Sequence, residues 1–374
     1  MSEPPPFFRV GADEVRLLCD GAEAFPAMLE AIAGAEREIV LEMYWIADDV
    51  CGRRFRDALA ERARAGVRVR VVYDAIGSLG LPADFFAPLE RYGGEVHEYH
   101  PLSPLRSRIT LDSLERRDHR KLLAVDGRQA FVGGLNLGRE WMTVEEGGEG
   151  WRDDVVEVRG PAAEEVRALF YETWRRRPWS EVPADVRRLP RKRTRPVWVL
   201  ANRWRRQRSI RREYLRRIAR ARKSIDIANS YFVPNRSFRG ALLRAALRGV
   251  RVRILVPERS DIAVVQLAVE ALFGALLRAG IEIYQMTGRI LHSKTVIVDD
   301  VFTMVGSYNL DERSFRKNLE CNLAVEDARF AAHARARFER DCAASRRVDL
   351  ATWSQRPWSL KALQAASYAL RRLW

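Results

Sequence analysis

The chain is 374 residues long, 47% hydrophobic and 31% charged, with a formal net charge of +15. That length supports two domains with cores of their own. Only four cysteines are present, Cys19, Cys51, Cys321 and Cys342, at neither metal-ligand nor redox spacing, which excludes a disulfide scaffold and points to a reducing compartment. Residues 1–15 hold acidic side chains and three prolines where a secretory leader is basic and then apolar, so no leader is expected. No apolar run reaches the length of a transmembrane helix. The nearest, residues 262–277, is broken by Gln266 and Glu270 and reads as a buried or cleft-lining helix.

In chain order, a β-prone segment at residues 35–46 is followed by strands led by Gly66 and Gly94, each preceded by a helical stretch. Next come His119-Arg120-Lys121, four residues and Asp126; Asp126-Gly127 reads as a tight turn and residues 129–132 as the returning strand. A small-residue loop, Gly133-Gly134-Leu135-Asn136, closes the unit. The same order then recurs. Residues 221–232 parallel 35–46, and Gly249 and Gly280 lead strands as Gly66 and Gly94 do. His292-Ser293-Lys294, four residues and Asp299 run through residues 301–305 into Gly306-Ser307-Tyr308-Asn309. A repeat this long means two similar domains rather than a solenoid. Alternating helices and short apolar strands make each an α/β layered domain. Facing each other about a pseudo-twofold axis, the two bring both motifs into one cleft. The expected divisions are a first repeat at 1–176, a basic, Trp-containing connection at 177–208, a second repeat at 209–345 and an amphipathic tail at 346–374.

Side chains two apart on a strand point the same way, so each hairpin presents its His and Lys on one face. The following loop needs small residues so that its backbone and its Asn can approach the same anion; Asn136 and Asn309 are also placed to cap the helices after them. The chain has five histidines, and two of them sit in these matched settings. A histidine nucleophile paired with a histidine acid is what metal-free phosphodiester chemistry requires.

The charge is local. Residues 175–223 carry 20 Lys/Arg against three Asp/Glu, and the remainder of the chain is close to neutral. Clustered cations attract nucleic acid or an anionic membrane leaflet. Trp174, Trp179, Trp198 and Trp204 stand among them and tilt the reading toward a membrane interface. After Pro357, Leu363, Ala366, Leu370, Leu373 and Trp374 recur at helical spacing beside Lys361, Arg371 and Arg372. That pattern fits an interfacial helix and equally a last helix docked on the core.

The duplicated His-x-Lys-x(4)-Asp followed by a Gly/Ser-rich loop and Asn resembles the signature of the phospholipase D superfamily. Asp118-His119-Arg120-Lys121, Gly150-Trp151-Arg152-Asp153, Asn309-Leu310-Asp311-Glu312-Arg313-Ser314 and Asn318-Leu319-Glu320 are similar to its bacterial cardiolipin synthase branch, in the compact form without an N-terminal anchor. The resemblance, over residues 36–341, implies two α/β/α sandwich domains with the active site at their interface. It also implies a phosphatidyltransferase that makes cardiolipin from phosphatidylglycerol and a second phospholipid through a phosphatidyl-histidine, with no cofactor and no metal. The implied partners are anionic phospholipids and a membrane surface, with peripheral attachment to the cytoplasmic face of the bacterial inner membrane and nucleic acid disfavoured.

On this reading the catalytic set is His119, Lys121, Asp126, His292, Lys294 and Asp299. By family resemblance His119 is the nucleophile and His292 the acid/base, and the symmetry of the motifs leaves the reverse open. Lys121 and Lys294 neutralise the phosphate, Asn136 and Asn309 donate to it, and Ser307 is an additional donor. Asp126 and Asp299, at the turns, support the motif rather than carry protons. Asp153 and Glu320 are proposed to orient the histidine rings, since a histidine at a reacting centre needs a partner at its second nitrogen. The competing reading is a phosphodiesterase that hydrolyses phospholipid or nucleic acid.

Overall fold

The repeated strands build two mixed sheets, of eight and nine strands, whose central strands follow the same order. In the computed structural model, which describes residues 4–102, 110, 114–174, 195–203 and 207–371, the first sheet contains β1 (Phe8–Val10), β2 (Asp13–Cys19), β3 (Glu38–Met43), β4 (Arg68–Asp74), β5 (Glu95–Tyr99), β6 (Lys121–Val125), β7 (Gln129–Gly133) and β8 (Asp154–Arg159). Their order across the sheet is β1-β2-β8-β7-β6-β3-β4-β5. The second sheet runs β10-β9-β16-β15-β14-β11-β12-β13-β17, from β9 (Val197–Arg203), β10 (Gln207–Arg208), β11 (Ser224–Asn229), β12 (Arg251–Pro257), β13 (Glu282–Met286), β14 (Lys294–Val298), β15 (Phe302–Gly306), β16 (Glu320–Glu326) and β17 (Ser345–Arg347). In each, three parallel strands (β3-β4-β5, β11-β12-β13) join an antiparallel meander (β6-β7-β8, β14-β15-β16).

The strands read as continuous apolar runs because both faces of each sheet are covered. Along β6, Leu122 and Ala124 enter a core shared by the two halves, while Leu123 and Val125 enter the first half's outer core. The outer core of the first half is closed by α1 (Asp20–Ala33) and α2 (Val50–Arg64), with the short α3 (Ala87–Glu90) beside α2. The shared core takes in α4 (Pro161–Trp174) from the first half and, from the second, Leu323 and Val325 of β16 with Phe330, Ala334 and Phe338 of α9 (Ala328–Ala343). The second outer core is closed by α5 (Ser209–Arg220), α6 (Arg236–Leu247) and α7 (Ala263–Arg278); α8 (Glu312–Arg316) precedes β16, and α10 (Leu350–Ser354) and α11 (Trp358–Ala369) end the described chain. The segment expected as a buried or cleft-lining helix is α7, which packs its Val265, Val269, Leu272 and Phe273 inward.

Two sequence readings change here. Val197–Arg203 lies within the stretch read as a connection, yet it is a strand paired with β16 along Val197–Asn202. The tryptophans assigned to a membrane interface divide as well: Trp174 and Trp198 are buried in cores, and Trp179 and Trp204 lie outside the described residues. Local charge put these rings beside cations, but the apolar alternation of α4 and β9 decides where they point.

Candidate active site

Each motif histidine stands just before the first strand of a hairpin. Lys121 faces Met43 at the carboxyl end of β3, and Lys294 faces Asn229 at the carboxyl end of β11. The turns are held from behind. Asp126, at φ 53°, accepts from the Glu36, Arg37 and Glu38 amides at 2.8–2.9 Å, and Asp299, also at φ 53°, accepts from those of Arg222, Lys223 and Ser224 at 2.7–3.1 Å. Both carboxylates therefore pin a hairpin turn to the start of the neighbouring strand, at the opposite end from the histidine. Asp74 anchors the approach to the first motif, accepting from the Arg117 guanidinium at 2.7 Å and from the Asp118 amide at 2.9 Å.

The halves meet through two matching backbone bridges. The His119 amide donates to the Leu319 carbonyl at 3.0 Å and the Leu319 amide to that of Arg117 at 3.0 Å; the His292 amide donates to the Arg152 carbonyl at 2.7 Å and the Arg152 amide to that of Ile290 at 2.8 Å. Leu319 and Arg152 immediately precede the two carboxylates. Glu320 consequently reaches His119 Nδ1 at 3.1 Å, and Asp153 reaches His292 Nδ1 at 2.6 Å. The pairing is crossed: each half supplies the carboxylate for the other half's histidine. With Nδ1–H donating to a carboxylate, Nε2 of each ring is the nitrogen left with a lone pair.

The two carboxylates are held differently. Glu320 accepts from the hydroxyls of Ser307 at 2.5 Å and Ser314 at 2.7 Å. Asp153 accepts from the Trp141 indole at 3.0 Å and the Asp154 amide at 2.9 Å. Trp141 and Ser314 each stand five residues beyond the motif Asn, a correspondence that a residue-by-residue comparison of the repeats would have exposed. Gly134 occupies the place of Ser307, and a Cβ there would lie 2.2 Å from Asp153 Oδ1, so the first loop needs glycine where the second uses a serine. Ser307 thus gives its proton to Glu320, where the sequence reading placed it on phosphate.

Asn136 and Asn309 are buried, their side-chain oxygens accepting from the Trp45 amide at 3.2 Å and the Ser230 hydroxyl at 3.0 Å. Lys121 and Lys294 reach back to the carbonyls of His119 and His292. Aromatic rings wall the site: Tyr44 lies edge-on to His119 at 4.8 Å, and Trp141, Trp151 and Tyr231 surround His292 at 5.2, 5.9 and 6.5 Å. The sequence reading assigned no role to Tyr44, Trp141 or Tyr231, and named Ser314 only as part of the flank after Asn309.

Burial sets the charge states. Loss of water, reinforced by Lys121, pushes His119 down to about 4, and burial with Lys294 lowers His292 as well. Burial, with Lys294 adding to it, lowers Lys121 to about 7, and burial lowers Lys294 to about 8 against the pull of Asp153 and Glu320. For Asp153 burial works in the opposite direction, but His292, Lys294 and its hydrogen bonds outweigh it and keep the carboxyl below the usual range. The site therefore holds neutral imidazoles beside two lysines whose charge burial disfavours, and a phosphodiester anion entering between them would favour both ammonium groups. Among the described residues, no three His, Cys, Asp or Glu side chains are grouped as metal ligands.

A family model described as "Cardiolipin synthase, PLD-like domain" matches residues 28–174 and 214–342, one match per half. The chain belongs to the cardiolipin synthase family of phospholipase D-like proteins. Among its relatives, cardiolipin synthase 2 of Bacillus anthracis is 36% identical over 84% of this chain and 62% of its own length. The major cardiolipin synthase ClsA of Bacillus subtilis is 32% identical over 96% of this chain and 75% of its own. The chain thus spans under two thirds of the first relative and three quarters of the second. In fold it is similar to the phosphatidylserine synthase of Haemophilus influenzae Rd KW20, with a TM-score of 0.73 at 15% identity over 99% of this chain and 97% of that one.

Proposed function

We propose that the protein is a phosphatidyltransferase that joins phosphatidylglycerol to a second phospholipid, making cardiolipin. The observation that carries this reading is the crossed pair of histidine–carboxylate dyads with two buried lysines, set in a chain of the cardiolipin synthase family. His119 Nε2 attacks phosphorus, forming an N–P bond as the P–O bond to the headgroup glycerol breaks; His292, which takes up a solvent proton at Nε2 when the phosphodiester anion binds, gives that proton to the leaving oxygen. The headgroup hydroxyl of the second phospholipid then gives its proton to His292 and attacks phosphorus; the N–P bond breaks and His119 is regenerated. Lys121, Lys294 and the amide NH2 groups of Asn136 and Asn309 stabilise the non-bridging oxygens as charge builds on them.

One feature supports His119 as the nucleophile: its carboxylate contact, at 3.1 Å, is looser than the 2.6 Å contact of His292. A tighter dyad favours the imidazolium that an acid needs. Asp126 and Asp299 serve as hairpin supports. We also place the protein peripherally on the cytoplasmic face of the membrane, where the lipid substrates of this reading would be met; no helix among the described residues is long and apolar enough to cross a bilayer.

The test is incubation of purified protein with labelled phosphatidylglycerol in mixed vesicles, without CTP and with a chelator. Cardiolipin and free glycerol are expected, His119→Ala should form no covalent phosphatidyl-enzyme, and His292→Asn should accumulate it. Either substitution should cost on the order of 10³-fold in turnover, because nucleophile and acid act as a unit. Phosphatidic acid as the sole product, or cleavage of DNA with lipid untouched, would replace transfer by hydrolysis.

A further inference from the structure

Helix α11 is packed with its polarity reversed. Gln364, 1% exposed, and Ser367 face the body of the protein, where the Gln364 amide donates to Glu270 of α7 at 2.8 Å. Leu363 and Leu370, 53% and 51% exposed, face outward, and Trp358 at the helix start is 82% exposed. Lys361 is the one charged residue of the helix, which carries no acid. A helix whose outer side meets only water shows the opposite arrangement.

The position of α11 links this face to the site. Trp353, just before the helix, packs on Phe273, and Gln364 meets Glu270, so α11 runs antiparallel along α7. Near its end the Tyr368 hydroxyl donates to the Pro234 carbonyl at 3.0 Å. Leu370 therefore lies toward the start of α7, where Ile262 and Val264 are also exposed. That corner is the rim of the active site: Asp261 accepts from the Tyr231 hydroxyl at 2.6 Å, and the Tyr231 ring lines His292.

We propose that the outward face of α11, continued by Ile262 and Val264, is a docking surface for an anionic lipid bilayer and seats the mouth of the site on the lipid. The proposal rests on the phosphatidyltransferase reading. Charge complementarity selects the occupant. The helix has no acid to repel anionic headgroups; Lys361 and Arg371 lie on it and just past it, and Arg259 stands exposed beside the start of α7. Leucines at headgroup depth and cations at its edge are the composition of an interfacial helix.

The test uses the full chain carrying Leu363→Gln and Leu370→Gln together, both at exposed positions. Sedimentation with phosphatidylglycerol-containing vesicles should show partitioning lower by on the order of tenfold, the consequence of removing two apolar side chains from the interface. Turnover of vesicle phosphatidylglycerol should fall in parallel, while dispersed dihexanoyl-phosphatidylglycerol is turned over at the wild-type rate. Unchanged vesicle binding overturns the proposal. So does a wild-type dimer in sedimentation velocity that the double variant loses, since the face then belongs to a second copy. If neither protein turns over phosphatidylglycerol in any form while the variant still loses binding, the docking surface stands and the catalytic reading fails.

Discussion

At the scale of single residues, the site works by withholding water from groups that ordinarily carry charge. His119 is held at about 4, below its usual range, because burial and Lys121 disfavour the imidazolium. The unfolded chain takes up that proton near 6.5, so between pH 6.5 and about 4 the unfolded state binds more protons than the folded one, and stability falls as pH falls through this window. His292 is shifted the same way and adds to the slope. The thermal midpoint should therefore drop on acidification from pH 6.5, and His119→Gln, which removes one titrating group, should drop less; parallel curves from scanning calorimetry would contradict this. The four His and Lys positions were legible because the chemistry needs those residue types at a fixed spacing. Trp141 and Ser314 were not, because two different donors serve one purpose: they share a position five residues after the motif Asn, but not a residue type.

At the scale of elements, the hairpins behind the histidines owe their register to the motif aspartates. Asp299 accepts three backbone amides in a row while its own backbone sits at positive φ. Asp299→Ala leaves those amides to water and places alanine in a conformation it disfavours, so a loss of about 1–2 kcal/mol is expected by urea denaturation. Because the turn lies at the far end of β14 from His292, KM should change less than stability does; the reverse would move Asp299 into the chemistry. The strands could be read from their apolar runs, since burial on both faces leaves no other composition. The last helix could not be placed from sequence alone. Its apolar spacing was plain, but which side docks depends on Gln364 finding Glu270, a partner 94 positions away.

At the scale of the whole molecule, the two halves build one candidate site between them. The sequence repeat indicated two similar domains meeting at their motifs, and the matched strand orders carry that arrangement. It did not reveal the exchange of carboxylates, because neighbours in a repeat suggest partners within the same half. Further ties follow the same crossing: Ser293 donates to Asp154 at 2.6 Å, and Arg152 pairs with Asp341 at 2.8 Å. Halves produced separately as residues 1–176 and 195–374 should each lack transferase activity, and mixing should restore it to the extent that they dock, as followed by cardiolipin formation against the concentration of either half. Activity from one half alone would mean that its histidine needs no borrowed carboxylate.

The exchange also bears on synthesis of the protein at the ribosome. Translation reaches Glu320 about 200 residues after His119, at a growth rate of some 5–20 residues per second. For those seconds the amino-terminal motif is complete in sequence but its imidazole has no partner to fix the tautomer. On the proposed function, an unfinished chain near a membrane would lack the paired groups needed to cut a lipid headgroup, and the capacity to break a phosphodiester would arrive only once both halves exist to share it.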